Sequence, residues 1–186
     1  MNKLYRAYLT AYNLNEQNDD GFFETVKGIY DSEEVQSLQQ YEQHLEIDRL
    51  QHITSVSFLA YKVCKKLGLD YQSAARAATM HDLFYYDWHD GDWSHRPHGY
   101  RHPGFALKNA RELNPAITKK EENIILRHMF PLTVIPPRYP EGWVVSLCDK
   151  YCATRELLIA DHIRFRNQFE KAKGKLLFFK GRADHV

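Results

Sequence analysis

Between His52 and Leu67 the apolar residues Val56, Leu59, Ala60, Val63, Cys64 and Leu67 recur at i, i+3, i+4 and i+7. That spacing is one buried face of an α-helix, and Gly68 follows where a helix-ending glycine belongs. Asp70 can cap the next helix, whose Ala74, Ala75, Ala77 and Ala78 permit close packing up to about His81. No stretch of the chain shows sustained period-2 alternation, so the expected fold class is all-α.

The remaining punctuation reads the same way. Asp31-x-x-Glu34 suggests a capping box opening a helix to about His44, and Thr118-x-x-Glu121 a second one leading through Ile124, Ile125 and Leu126 to His128. Residues 84–101 read as a long aromatic, His-rich loop. Pro103 suits the first turn of a helix that reaches about Leu113, where Asn114-Pro115 stops it. MFPLTVIPPRYPEG, with four prolines, reads as loop. Helix is expected again from near Trp143 to about Ile159, and on to a basic tail. Residues 1–30 suggest one or two short helices around a break at Asn18–Gly21. With no repeat and no linker, 1–186 is expected to be a single domain, its motif-bearing core at about 44–155.

Composition excludes several classes of function. The 25 basic and 24 acidic residues nearly cancel, so no chain-wide field draws the protein to polymeric nucleic acid or a membrane. The apolar runs are far too short for a bilayer span, and the first residues lack the apolar core of a signal peptide. Cys64, Cys148 and Cys152 form no CxxC pair and are expected as buried free thiols in a reducing, cytoplasmic setting. Aromatic residues make up 13% of the chain, which favours a dense aromatic core or a stacking pocket.

Ten histidines are many for this length, and several fall at helix boundaries. His52 starts a helix, His81 and Asp82 end the next, His102 precedes another and His128 ends the one after. Asp149 sits mid-helix among Val145, Leu147, Cys148 and Cys152, where an unpaired carboxylate would be costly to bury and a metal ion would remove the cost. Imidazoles with carboxylates suit iron, manganese or zinc.

The order His52, His81-Asp82, His102, His128, Asp149, carried by QHITSVSFLAYKVCKKLGL, AARAATMHDL, RHPGFALKNA, ILRHMF and VVSLCDKYCA, resembles the HD-domain superfamily of metal-dependent phosphohydrolases. The resemblance implies an HD-domain helical bundle in which one metal takes His52, His81, Asp82 and Asp149. A second takes His102 and His128, with Asp82 bridging, and His81 and Asp82 lie at the catalytic centre. Two such cations lower the pKa of a bridging water by several units from about 15.7 and neutralise phosphate charge, so no Ser or Cys nucleophile is needed. His98 and His102 form HxxxH; the likeness of the HP segment favours His102 as the ligand. His98 is the alternative, or else lines the substrate pocket.

Arg49, Arg101, Arg127 and Lys150 adjoin these positions and are candidate phosphate contacts, with solvated surface charge as the alternative. The loop aromatics, Tyr86 among them, could stack a base or line the core. His44, His89 and His95 read as solvated loop or helix-end residues, and His162 and His185 as surface.

LFYYDW follows the dipeptide where the cyclic-di-GMP-degrading branch has an Asp-x-Gly-Lys-like run, and Asp87 stands without the Glu-Asp pair of the alarmone hydrolases. The chain is more similar to small bacterial single-domain HD hydrolases, including the dinuclear group that cleaves dinucleoside polyphosphates. The expected partner is a small phosphorylated molecule such as a nucleotide, with oligomeric state open and a homodimer one option. An HD-type di-iron oxygenase and a non-catalytic metal or nucleotide sensor are the competing functions.

Overall fold

The computed structural model describes residues 6, 10, 11, 21–44 and 47–158. Its described elements are α1 (Phe22–Tyr30), α2 (Glu33–Gln36), a 3-10 turn (Ser37–Gln40), β1 (Glu42–His44), β2 (Ile47–Asp48), α3 (Arg49–Leu67), α4 (Tyr71–Met80), a second 3-10 turn (Trp93–His95), α5 (His98–Leu113) and α6 (Lys119–Arg127). A last helix, α7, spans residues 140–158. The protein is predominantly α-helical; its sheet is one short antiparallel pair, Glu42 opposite Asp48. Among the described residues no helix is long and apolar enough to cross a membrane.

Local chemistry sets the boundaries. Gly68 closes α3 with φ +69°, a left-handed conformation that costs glycine little, and its N–H returns to the α3 carbonyls. Asp48 caps α3 and Asp70 caps α4, each accepting an N–H three residues on. Thr118 and Glu121 form the expected reciprocal box at the start of α6.

Three expectations are corrected. Ser32, not Asp31, caps the helix that follows it, and that helix is one turn; the chain then turns into β1 instead of reaching His44 as helix. Pro103 lies inside α5, which begins at His98. α7 begins at residue 140, ahead of Trp143. The expected helix beyond 158, the expected break around Asn18 and the histidines at 162 and 185 lie outside the described residues.

α3 and α4 are the most extensively packed pair; α1 and α6 lie on α4, and α5 on α6. The alanines of α4 are all fully buried, which lets its neighbours approach on several sides. Lys120 bonds Asp70 at 3.0 Å and Glu141 at 3.3 Å, tying the starts of α4, α6 and α7 together. The far ends of α4 and α6 meet as well, with the His81 and His128 rings 4.9 Å apart. The two helices therefore run side by side in the same direction and bring two histidines to one place. Phe22, Phe58 and Tyr61 form edge-to-face contacts in the core, and all three cysteines are buried and unpaired.

Candidate metal centre

Six side chains converge, three from within helices and three from the ends of two others. His52 comes from the first turn of α3, His81 caps the end of α4 and Asp82 follows it. His102 lies in the second turn of α5, His128 caps the end of α6 and Asp149 lies within α7. None is more than 9% exposed. His52 Nε2 lies 3.3 Å from Asp149 Oδ1 and 3.9 Å from Asp82 Oδ2. His81 Nε2 lies 3.6 Å from Asp82 Oδ2 and 3.8 Å from Asp149 Oδ1. The other oxygen of Asp82, Oδ1, faces His102 Nε2 at 3.2 Å and His128 Nε2 at 3.6 Å.

The second nitrogen of each imidazole decides what these contacts mean. His81 Nδ1 sits 2.7 Å from the Ala78 carbonyl, His102 Nδ1 3.0 Å from the His98 carbonyl and His128 Nδ1 2.7 Å from the Ile125 carbonyl. A carbonyl only accepts, so each Nδ1 carries a proton, and in the neutral imidazole Nε2 presents the lone pair. His52 is held likewise by Glu156 Oε2 at 2.8 Å. Yet His102 Nε2 and His128 Nε2 stand 2.9 Å apart. Two lone pairs at that distance repel unless a cation lies between them. His81 Nε2 and Asp82 Oδ1 are buried with no hydrogen-bond partner.

This donor set fits a metal. Two ligands on one ion, each about 2.0–2.1 Å from it, stand roughly 3–3.7 Å apart, close to the spacings here. The buried groups His52, His81, Asp149 and His81, Asp82, His128 each could hold an ion. The negative ends of the α4 and α6 dipoles point at the cluster and favour a cation there.

The protonation of the cluster follows the same demand. Burial lowers the pKa of His52, but Glu156 and Asp149 outweigh it and hold the group well above its usual range; His81 is raised by Asp82 and Asp149 against the same burial. Burial would raise both aspartates, yet the surrounding histidines hold Asp82 and Asp149 below the carboxylate range. His128, buried and beside His81 and His102, is pushed down to about 3. Two carboxylates here call for positive charge, and in the bare protein protons supply it.

Two residues the sequence reading passed over complete the site. Gln43, on β1, donates to Asp82 Oδ2 at 3.1 Å, and Glu156 orients His52. Gln43 lies on a strand too short to show periodicity. Glu156, about two turns past Asp149 on α7, carried a helical-spacing signal that could have found it.

The residues expected to meet substrate are placed variously. Arg49 is fully buried, and its guanidinium donates to Gln43 Oε1 at 3.0 Å, to the Phe84 carbonyl at 2.8 Å and to the Tyr86 carbonyl at 3.3 Å. Lying 3.7 Å over the Phe84 ring, it braces Gln43 and hence Asp82 from behind. Lys150 donates to the His128 carbonyl at 2.9 Å and to Ser146 Oγ at 2.9 Å, fixing the end of α6. Arg101 is exposed, 5.5 Å over Phe105; Arg127 is half-buried next to His128. Neither His98 nor His102 belongs to either of the two metal-competent groups; the ring of His98 stacks on His102 at 4.5 Å and its carbonyl holds His102, whose Nε2 is the nitrogen that reaches Asp82 and His128. Tyr86 Oη lies 3.2 Å from His98 Nδ1. His95, expected to be solvated, is buried: it stacks on Tyr86 at 4.1 Å and pairs with Asp90 at 3.0 Å.

Fold and site together define a predominantly helical protein with a buried His/Asp cluster able to hold a metal ion. The chain matches no protein-family model, no curated protein and no solved structure.

Proposed function

We propose that the cluster holds two divalent metal ions and that the protein is a metal-dependent phosphohydrolase of the HD type, cleaving an ester or anhydride of a small phosphorylated metabolite. The observation that carries this reading is the aim of Asp82. Its Oδ2 faces His52 and His81, its Oδ1 faces His102 and His128, and Asp149 completes the first group. A carboxylate turned this way suits two ions sharing it.

Bound ions would supply Lewis acidity, acidifying water to give a nucleophile near neutral pH and drawing charge from the phosphate. The chain's own residues do the rest. Ala78, His98, Ile125 and Glu156 fix four imidazoles in the ligating tautomer. Gln43 and Arg49 hold the Asp82 carboxylate from the protein side, and burial keeps bulk water from the backs of all six ligands. Arg127, beside His128, is the cation we assign to the phosphate.

Metal analysis and phosphate-release assays on a panel of nucleotides, sugar phosphates and pyrophosphate test the reading. About two ions per chain and turnover of at least one ester, both lost in Asp82→Ala, are expected. Wild type as inactive as Asp82→Ala across the panel would sink it. Oxygen consumption by the iron-loaded protein without phosphate release would replace it with the oxygenase reading.

A further inference from the structure

We propose that the outward face of α7, together with the loop that leads into it, docks the protein on the surface of an anionic lipid bilayer. The inference goes beyond the metal-dependent reaction and does not rest on it. Trp143, Leu147, Lys150, Thr154 and Leu158 follow one another at i, i+4, i+7, i+11 and i+15, so they share one stripe of the helix. Trp143, Leu147 and Leu158 are all exposed, Leu147 by 65%. The loop widens the stripe. Phe130 meets the Trp143 ring at 5.1 Å and its carbonyl accepts from Ser146 Oγ at 3.2 Å, while Val134 and Ile135 beyond it stand in water, Val134 by 84%. A cluster of large apolar side chains left exposed in this way marks an interaction surface.

Charge names the partner. Between residues 127 and 158 the carboxylates are Glu141, Asp149 and Glu156, and all of them are buried. Arg138 is exposed, Lys150 is half-buried within the stripe, and Met129 to Pro137 carries no charge at all. This side of the molecule is therefore apolar and basic, with no acidic group at its surface. The near balance of charge over the whole chain conceals that asymmetry. Such a face suits a bilayer whose headgroups are anionic and whose acyl chains take up aliphatic and indole side chains. A second copy of the chain would set like charges against each other across a twofold axis. A polyanion would meet the cations and leave Val134, Ile135 and Leu147 in water.

The sequence beyond α7 repeats the same chemistry. Lys171, Lys173, Lys175, Lys180 and Arg182 bracket the run LLFF, and no carboxylate falls among them. Basic clusters interleaved with apolar side chains are what an anionic lipid surface attracts. The two contributions separate by salt, which screens the attraction of cations for headgroups and leaves apolar insertion in place.

Flotation of the full chain tests this, with phosphatidylcholine vesicles containing about a third phosphatidylserine set against phosphatidylcholine alone. Binding to the first is expected to exceed binding to the second about tenfold or more, and to weaken as salt rises toward roughly 0.5 M. The pair Val134→Ser, Ile135→Ser should bind about tenfold or more weakly, and Leu147→Ser should act in the same direction. The melting temperature should not move, because these side chains already stand in water. Lys173→Gln with Lys175→Gln should reduce the preference for phosphatidylserine. No binding, equal binding to both vesicles, or wild-type binding by the Val134→Ser, Ile135→Ser variant would overturn the proposal. A dimer in sedimentation that this variant dissolves would give the face to a second copy, and retention on RNA with none on vesicles would give it to a polyanion; either overturns it as well.

Discussion

His81-Asp82 and His89-Asp90 are the same dipeptide eight residues apart, and tertiary structure gives them opposite uses. The first ends α4; His81 is 0% and Asp82 4% exposed, and both face side chains from three other helices. The second lies in an exposed loop, where His89 meets Asp87 two residues away and Asp90 meets His95 five residues on. Local partners satisfy the second pair, and water is at hand for the rest. In the first pair His81 Nε2 and Asp82 Oδ1 are buried with no hydrogen-bond partner, an arrangement that a bound cation would satisfy. A dipeptide becomes a candidate metal site through what is withheld from it.

The sharpest way to break this contrast is to remove one carboxylate from each pair. Asp82→Ala should lose metal by more than about a hundredfold in affinity, beyond the ~10–100-fold typical of an outer partner, whereas Asp90→Ala should keep wild-type metal content. Equal metal content in the two variants would erase the distinction. Next in size, Gln43→Ala and Glu156→Ala should each weaken metal binding about 10–100-fold while leaving the ligands in place, read by competition with a chelator.

The pH dependence of metal uptake tests the first pair's electrostatics. His52 and His81 are raised in the bare protein, so an ion must displace their protons, and affinity should climb with pH through and above neutrality. Calorimetry in buffers of different ionisation enthalpy should register proton release; none would contradict the burial of these groups among carboxylates. A fourth outcome is smaller and concerns the core. Burial pushes the Cys64 and Cys148 thiols up to about 12 from an ordinary 9.0. Between those values the unfolded chain has lost protons that the folded chain retains, so stability is whole below about pH 9 and declines toward 12. The urea midpoint should fall over that window, and a thiol reagent should find no reactive cysteine in the native protein at pH 7. The smallest effect belongs to His89→Ala, expected within about 0.5 kcal/mol of wild type, as for a solvated surface residue.

Much of this was legible beforehand, for identifiable reasons. Helix α3 announced itself by a buried stripe and Gly68, α4 by Asp70 and its alanines, α6 by Thr118 and Glu121; each signal is local, and local chemistry decides it. The metal candidates stood at helix ends beside apolar faces, which made them recognisable as a set. The misread positions are those where distant packing prevails. Pro103 sits within α5, where Gly99 lets Leu132 approach so closely that an added Cβ would meet its Cδ2 at 2.6 Å. Arg49 was expected at the phosphate or as a solvated surface charge, as arginine usually is exposed; Gln43 of β1 and the Tyr41 and Phe84 rings hold it inside instead, and burial draws its guanidinium down to about 10.

The sequence by itself determined α3, α4 and α6, the caps at Gly68, Asp70 and Thr118, and the residue types that could bind a cation, because periodicity, capping and ligand chemistry act within a few residues. Only the tertiary structure decided which of those residues meet. It aligned α4 with α6 so that His81 and His128 end together, brought Gln43 from a two-residue ladder to Asp82, and set His95 against Tyr86 instead of in water. Those pairings join positions far apart in the chain, and they are fixed by the packing of whole helices, which no short window of residues encodes.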